Sequence, residues 1–302
     1  MAPPEWVSVW AGGNRIGSCK KGKLMTKENL TRALKTIEAY KTKNLEGSEI
    51  LDILGDILVL RDDYKKNAGP GLFEVTERLV KVKIASGFPL LDLSKMEGNW
   101  EEPRKYFSRL LEVAQAKGYE EAGELAEALA KGEVDFLDLL GQALAGEPEE
   151  GEPSGADGMS FDLVSFLIDE SLRPYLELVW EKYAGLIGSV GWKEGYCPVC
   201  GEEPKIGEVT PDEDERHLFC YLCSARWSFE PGKCPSCGNE EHQSLAYFSI
   251  EGEERYRVEV CNSCRRYVKT VRNDPTEGPL NLEIEDLATL YLDYLAYEEG
   301  YN

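Results

Sequence analysis

Four short cysteine motifs decide the reading of this chain: Cys197-Pro198-Val199-Cys200, Cys220-Tyr221-Leu222-Cys223, Cys234-Pro235-Ser236-Cys237 and Cys261-Asn262-Ser263-Cys264. Each sets two thiols on one tight turn, which aims both sulfurs at one point and lets backbone N–H groups donate to the thiolates. Two such turns supply four soft ligands for a tetrahedral ion. Nineteen residues separate the first two pairs and 23 the last two, enough for a hairpin in each case, with only ten between the second and third. The spacing groups Cys197, Cys200, Cys220 and Cys223 on one metal, and Cys234, Cys237, Cys261 and Cys264 on another. A cross-brace, in which pairs one and three share one ion and pairs two and four the other, is the geometric alternative.

The segment repeats itself, and the repeat favours the sequential arrangement. Cys197-Pro198-Val199-Cys200-Gly201 matches Cys234-Pro235-Ser236-Cys237-Gly238. β-Prone stretches follow each: Lys205–Thr210, Glu215–Cys220 and Ala225–Phe229 in the first unit, and Ser244–Ile250, Tyr256–Val260 and Tyr267–Val271 in the second. Two tandem rubredoxin-like or zinc-ribbon modules are expected, with Gly201 and Gly238 in positive-φ turns. Modules this small cannot bury enough core and need a metal staple, for which zinc is the default. Iron in the same cage is a redox centre, and four thiolates alone do not separate the two. Disulfide exchange lacks its βαβ setting, and iron–sulfur clusters space their cysteines differently.

Upstream, apolar residues recur at helical spacing. Thr26 is expected to cap a helix carrying Leu30, Leu34 and Ile37, and Ser48 the next, with Ile50, Leu54, Ile57 and Leu58. A third runs from about Leu72 through Val75, Leu79 and Val82. A fourth starts near Asn99 and Pro103 and carries Phe107, Leu110, Leu111 and Ala114, and shorter helices fit Tyr119–Lys131 and Val134–Ala145. The stretch 146–158, rich in Gly, Pro and Glu, reads as a flexible acidic loop. Helical pattern resumes from Phe161 to Tyr183, where Pro174 either kinks one helix or separates two. Leu282–Tyr297 reads as one C-terminal helix that docks on the body, with Gly300 as its stop. The expected class is α+β: a helical domain over 1–190, metal modules over 191–230 and 231–275, and a docking helix over 276–302.

The 302 residues carry 56 acidic and 34 basic side chains, a net charge of −22. Residues 191–302 alone hold 23 acidic and 11 basic groups. Such a balance repels phosphate backbones and anionic lipid and favours basic partners. Apolar content of 42% excludes wholesale disorder. The start Met1-Ala2-Pro3-Pro4-Glu5 lacks a signal-peptide pattern, and no apolar run is long enough to span a membrane. A cytoplasmic protein is expected, where paired cysteines bind metal or do redox work.

Other residues carry less. Cys19 is alone and without a neighbouring His, so it does not read as a nucleophile. His217 and His242 are surplus to cages already filled by four thiolates, and Asp212-Glu213-Asp214-Glu215 reads as a solvated hairpin tip. Trp180, Trp192, Tyr196 and Trp227 read as core between the two halves. No phosphate loop, serine elbow or HExxH helix is present, so an enzyme is not expected. A nucleic-acid-binding zinc ribbon, resting on Arg265, Arg266, Lys269 and Arg272, and a rubredoxin-type electron carrier remain as alternatives.

The four motifs with their flanks, including Ser224-Ala225-Arg226-Trp227 and Arg265-Arg266-Tyr267-Val268-Lys269, resemble the formate dehydrogenase accessory protein FdhE family. So do Arg173-Pro174-Tyr175, Trp192, and the tail Asp286-Leu287-Ala288-Thr289-Leu290-Tyr291-Leu292-Asp293-Tyr294-Leu295-Ala296 followed by Glu299-Gly300-Tyr301. The family often has Arg one residue before the third motif; Lys233 here keeps the charge. The resemblance is specific from about Arg173 onward. It implies a helical domain followed by two rubredoxin-like modules holding iron, with zinc as its replacement. It also implies a cytoplasmic role in maturing formate dehydrogenase, a molybdenum or tungsten enzyme, by binding its catalytic subunit before export or assembly.

Overall fold

The computed structural model describes residues 8–9, 27–42, 49–67, 72–95, 100–145, 162–210, 215–274 and 279–302. Cys19, Thr26, Ser48, Asn99, Phe161, the acidic loop 146–158 and Asp212 to Asp214 lie outside them. Helices α1 (Lys27–Lys41), α2 (Glu49–Asn67), α3 (Glu77–Ala85), α4 (Glu101–Ala116), α5 (Glu120–Lys131) and α6 (Phe136–Ala145) precede the long α7 (Leu163–Val190). Helix α3 begins five residues later than its apolar pattern suggests, because Thr76 caps it by accepting from Leu79 N at 3.2 Å. Val75 stays extended before that cap, and its carbonyl accepts from Tyr183 Oη.

Helix α7 is the axis of the helical half, with α2, α3, α4 and α6 packed on it. Every residue from Glu170 to Glu177 is buried, so the helix is surrounded on all sides instead of presenting one face. This explains why Pro174 does not divide it. An interior proline costs roughly 3 kcal/mol, whereas fully burying each of Leu167, Leu172 and Leu176 returns about 1.5–3 kcal/mol.

The cysteine-bearing half builds β2 (Ile206–Val209), β3 (Arg216–Phe219), β4 (Arg226–Ser228), β5 (Leu245–Phe248), β6 (Tyr256–Cys261) and β7 (Tyr267–Arg272). Together with β1 (Ser8–Val9) they form one seven-stranded sheet in the order β1-β5-β6-β7-β2-β3-β4. All pairs are antiparallel except β2 with β7, where Ile206 lies opposite Lys269. Each three-stranded unit thus covers an edge of the other, removing a row of unpaired backbone groups.

The two units also meet at the knuckles. Arg216 of β3 donates from Nη1 to Lys233 O at 3.0 Å and pairs with Glu259 of β6 at 2.6 Å. Gly195 lies so close to the third motif that an added Cβ would fall 2.0 Å from Pro235 O. Neither backbone can yield without moving a knuckle. Gly195→Ala is therefore expected to lower unfolding stability by about 1–3 kcal/mol, as read by urea denaturation, whereas Gly141→Ala, which meets open space, leaves it unchanged or slightly raised.

The tail forms two helices instead of one, α8 (Leu282–Ala288) and α9 (Leu290–Glu298). Thr289 breaks the run at φ −119° and ψ 28°, its hydroxyl donating back to Glu285 O at 2.7 Å. Leu282 packs with Ile206, Phe219 and Val271, and Leu292 and Ala296 pack on Ala246, Phe248, Val258 and Val260. Buried Lys269 fastens both helices to the sheet through Asp286 and Asp293, at 2.7 and 2.6 Å.

Candidate metal centres

The eight thiols gather into two groups, Cys197, Cys200, Cys220 and Cys223, and Cys234, Cys237, Cys261 and Cys264, each with its sulfurs within 4.8 Å of one another. The arrangement is sequential, without a cross-brace. One backbone device, repeated four times, shapes them. The N–H of the residue after each motif donates to the carbonyl of its first cysteine: Gly201 to Cys197 at 3.0 Å, Ser224 to Cys220 at 2.9 Å, Gly238 to Cys234 at 2.9 Å and Arg265 to Cys261 at 2.8 Å. The first cysteine N–H in turn donates to the residue after that, Glu202, Ala225, Asn239 or Arg266, at 2.8–3.0 Å. Gly201 and Gly238 take positive φ as their sequence suggests, but Ser224 and Arg265 do so too, at 56° and 62°. An L side chain adopts that conformation at a cost of about 1–3 kcal/mol, which the two knuckles impose.

An ion with bonds of about 2.3 Å to sulfur in a tetrahedron needs sulfurs about 3.8 Å apart. In the second group Cys234 to Cys264 and Cys237 to Cys261 are both 3.7 Å. In the first, Cys197 to Cys223 is 3.3 Å, Cys200 to Cys220 is 3.5 Å and Cys200 to Cys223 is 3.9 Å. Both donor sets therefore fit a four-thiolate ion. Burial pushes the Cys200 and Cys223 thiols up. At Cys197 the same burial is overcome by hydrogen bonds from the other three thiols, which hold it well below the usual thiol range.

The surroundings of the two groups differ. The first lies in the main core with Leu218, Leu222, Trp227 and the helical residues, and Leu90 N and Leu91 N donate to Pro198 O and Val199 O at 2.9 and 2.8 Å. Trp192, Tyr196 and Trp227 close this junction: Trp192 Nε1 donates to Tyr196 O, Trp227 Nε1 to Glu194 O, and Tyr196 Oη to Gly87 O. In the second group Cys237 is exposed and Cys264 half-buried.

His217 and His242 belong to neither group. Of the basic residues near the last motif, Arg265, Arg266 and Arg272 are exposed and Lys269 is not. Lys269 is buried on α8 and α9, and Arg265 is committed to the carbonyls of Glu299 and Gly300.

A cluster that pattern reading missed joins the first group to the helices. Arg61 of α2, only 1% exposed, meets Glu170 and Glu177 of α7 and Glu283 of α8 at 2.5, 3.3 and 2.7 Å. Arg173 pairs with Glu170 and Glu283, and Lys65 with Glu177 and Glu181. Ser224 of the second knuckle donates to Glu177 Oε1 at 2.7 Å, so the knuckle is part of the network. The signal was present in the sequence: Glu170, Arg173, Glu177 and Glu181 recur every three or four residues along the helix.

Burial alone would raise the Glu283 carboxyl, but Arg173 and Arg61 hold it down to about 2, against an ordinary 4.5. A depressed folded-state value stabilises above 4.5, and that contribution disappears as pH falls toward 2, on the order of 3 kcal/mol. The stability difference between the parent chain and Glu283→Gln is accordingly expected to be largest at neutral pH and to shrink through this window. A difference constant with pH in urea titrations would contradict it.

The sequence is similar to two family models, "FdhE, central domain" over residues 196–230 and "FdhE, C-terminal domain" over 233–302. A protein FdhE homolog of Aquifex aeolicus is 29% identical over 275 residues, 89% of this chain and 91% of the relative. Protein FdhE of Escherichia coli O1:K1 is 29% identical over 235 residues, 74% of this chain and 69% of the relative. In fold, the crystal structure of the FdhE protein from Pseudomonas aeruginosa matches with a TM-score of 0.64 at 21% identity, covering 92% of this chain and 93% of that one. With its two four-cysteine clusters in the segments that these models match, the chain is similar to FdhE proteins in sequence and in fold.

Proposed function

We propose that the chain is a cytoplasmic, non-enzymatic accessory factor in formate dehydrogenase maturation, engaging the catalytic subunit before export or assembly. The observation that carries this reading is the pair of four-thiol clusters lying within the two segments that match the FdhE models. Cys197, Cys200, Cys220 and Cys223 would hold one ion, iron or zinc, and Cys234, Cys237, Cys261 and Cys264 the other. The ions would supply rigidity to the knuckles and, if iron, a one-electron couple. Among the described residues no helix is long and apolar enough to cross a membrane.

Acidity suits a basic client segment. The 23 acidic and 11 basic groups of residues 191–302 favour positively charged sequence. A tagged full-length chain is expected to retain the formate dehydrogenase catalytic subunit from its native host, with retention falling as salt rises. Loss of the gene is expected to abolish formate oxidation while leaving catalytic-subunit synthesis intact. Unimpaired formate oxidation in the deletion strain would overturn the accessory reading, and salt-independent capture would overturn only its electrostatic part.

A further inference from the structure

Building on the reading that both thiol clusters hold metal, we propose that the second is the exchangeable one, and that its occupancy latches the C-terminal tail. The asymmetry begins with exposure. In the first group Cys197, Cys220 and Cys223 are 0% exposed and Cys200 is 8%. Only Cys200 borders a cavity there, beside Lys83, Pro89 and Glu202, and the other three thiolates are closed to a chelator until the core opens. The second group presents Cys237 at the surface and Cys264 partly so, and an incoming ligand can displace sulfurs one at a time from that side.

The latch is made by the fourth knuckle itself. Arg265 donates from Nε to Gly300 O at 3.1 Å and from Nη2 to Glu299 O at 2.9 Å, and its guanidinium lies 4.0 Å from the centre of the Tyr301 ring. Asn302 N donates to Arg265 O at 2.8 Å, and Tyr301 Oη donates to Asn262 Oδ1 at 2.8 Å. Both anchors, Asn262 and Arg265, belong to the turn between the ligands Cys261 and Cys264 or directly follow it. Arg265 is held at positive φ by its N–H bond to Cys261 O. Without an ion on these thiols only those hydrogen bonds oppose the cost of a left-handed arginine backbone, so the exposed turn is held less firmly and both anchors move together. Gly300 fits the latch from the other side: its φ is +77°, and a Cβ there would come within 3.0 Å of Arg265 Nη2.

The first cluster reaches the α7–α8 ion network through Ser224 of its knuckle, away from the last residues 299–302. Its carbonyls at Pro198 and Val199 bind Leu90 and Leu91 instead. Those two amides therefore report on the first site, and the Asn302 amide reports on the second.

The metal-loaded full-length chain, its content measured beforehand, is treated with increasing EDTA. Released ion, cysteine alkylation and hydrogen exchange are followed on the same samples. One equivalent is expected to leave first, with alkylation at Cys234, Cys237, Cys261 and Cys264 and loss of protection at Asn302, while Leu90 and Leu91 stay protected. The second equivalent leaves only with the Cys197 group and those amides. Coupling is reciprocal in binding free energy, so Arg265→Ala is expected to let the first equivalent leave at about tenfold lower EDTA and to leave the second unchanged. Simultaneous release, earlier alkylation of the Cys197 group, or a tail that stays protected after the first equivalent has gone would each overturn the inference while leaving the metal reading intact. A chain that takes up no metal overturns both.

Discussion

Cys197→Ser/Cys200→Ser is expected to lose cooperative folding of the entire chain. The first cluster is a staple inside the main core, where its thiols pack with Leu222, Ala225, Trp227 and the helical residues. A structural ion on four thiolates contributes about 10–16 kcal/mol of apparent folding free energy, which matches or exceeds the roughly 5–15 kcal/mol of a whole domain. The variant also buries two hydroxyls in place of two ligands. Near-ultraviolet circular dichroism should report the loss, because Trp180, Trp192 and Trp227 all lie in this core. Cys234→Ser/Cys237→Ser should instead keep a cooperative transition with one ion fewer per chain. A sharp, native-like transition in the first double variant would show that packing, and not metal, holds the two halves together.

Arg61→Met is expected to destabilise the chain by about 3–5 kcal/mol. Its guanidinium is the partner shared by Glu170, Glu177 and Glu283, each on a buried face. Removing it strands carboxylates that only Arg173 and Lys65 remain to neutralise. Replacing the whole buried group with apolar residues of similar volume is expected to be far milder, because a buried ion cluster contributes little net stability compared with good packing. Equilibrium urea unfolding of Arg61→Met beside an Arg61→Met/Glu170→Leu variant, which leaves Glu283 to Arg173 and Glu177 to Lys65, separates the two cases. Recovery in the double variant would identify stranded charge as the cause, and equal loss in both would point to lost packing. Such a cluster serves to fix which helices meet: it ties α2, α7 and α8 to Ser224 in the second knuckle.

Much of the architecture was legible because it depends on local rules. The strand stretches Lys205–Thr210, Glu215–Cys220, Ser244–Ile250, Tyr256–Val260 and Tyr267–Val271 each match an observed strand to within two residues at either end, since alternation and β-branching act within a few residues. Leu54, Ile57, Leu110 and Leu111 are buried as their helical spacing requires. Local reading left Pro174 between one helix and two, and it sits inside one because α7 is packed on every side. In the tail a distant partner outweighed the nearby preference. The tail splits at Thr289 because α8 and α9 must each reach a different part of the sheet, Leu282 toward Val271 and Leu292 toward Val260. Arg265 is exposed beside Arg266 as its setting suggests, and what the sequence did not show is its hold on the carbonyls of Glu299 and Gly300.

The order and the internal repeat of the cysteines favoured sequential grouping over a cross-brace, and the structure has the sequential one. Each motif is a self-contained turn, and hairpin-length spacers leave sequential pairing as the short route, so the two thiol groups follow from distances along the chain. Their inequality does not. Whether a cluster lies in the core or at the surface depends on what packs over it: segment 90–91, α7 and α8 cover the first, while the second is left with Cys237 open. The parallel pairing of β2 with β7, the meeting of Arg61 with three carboxylates from two other helices, and the tail on the fourth knuckle are likewise set by surfaces brought together from far apart in sequence. Periodicity records which face of an element is apolar, and only packing determines which other face it meets.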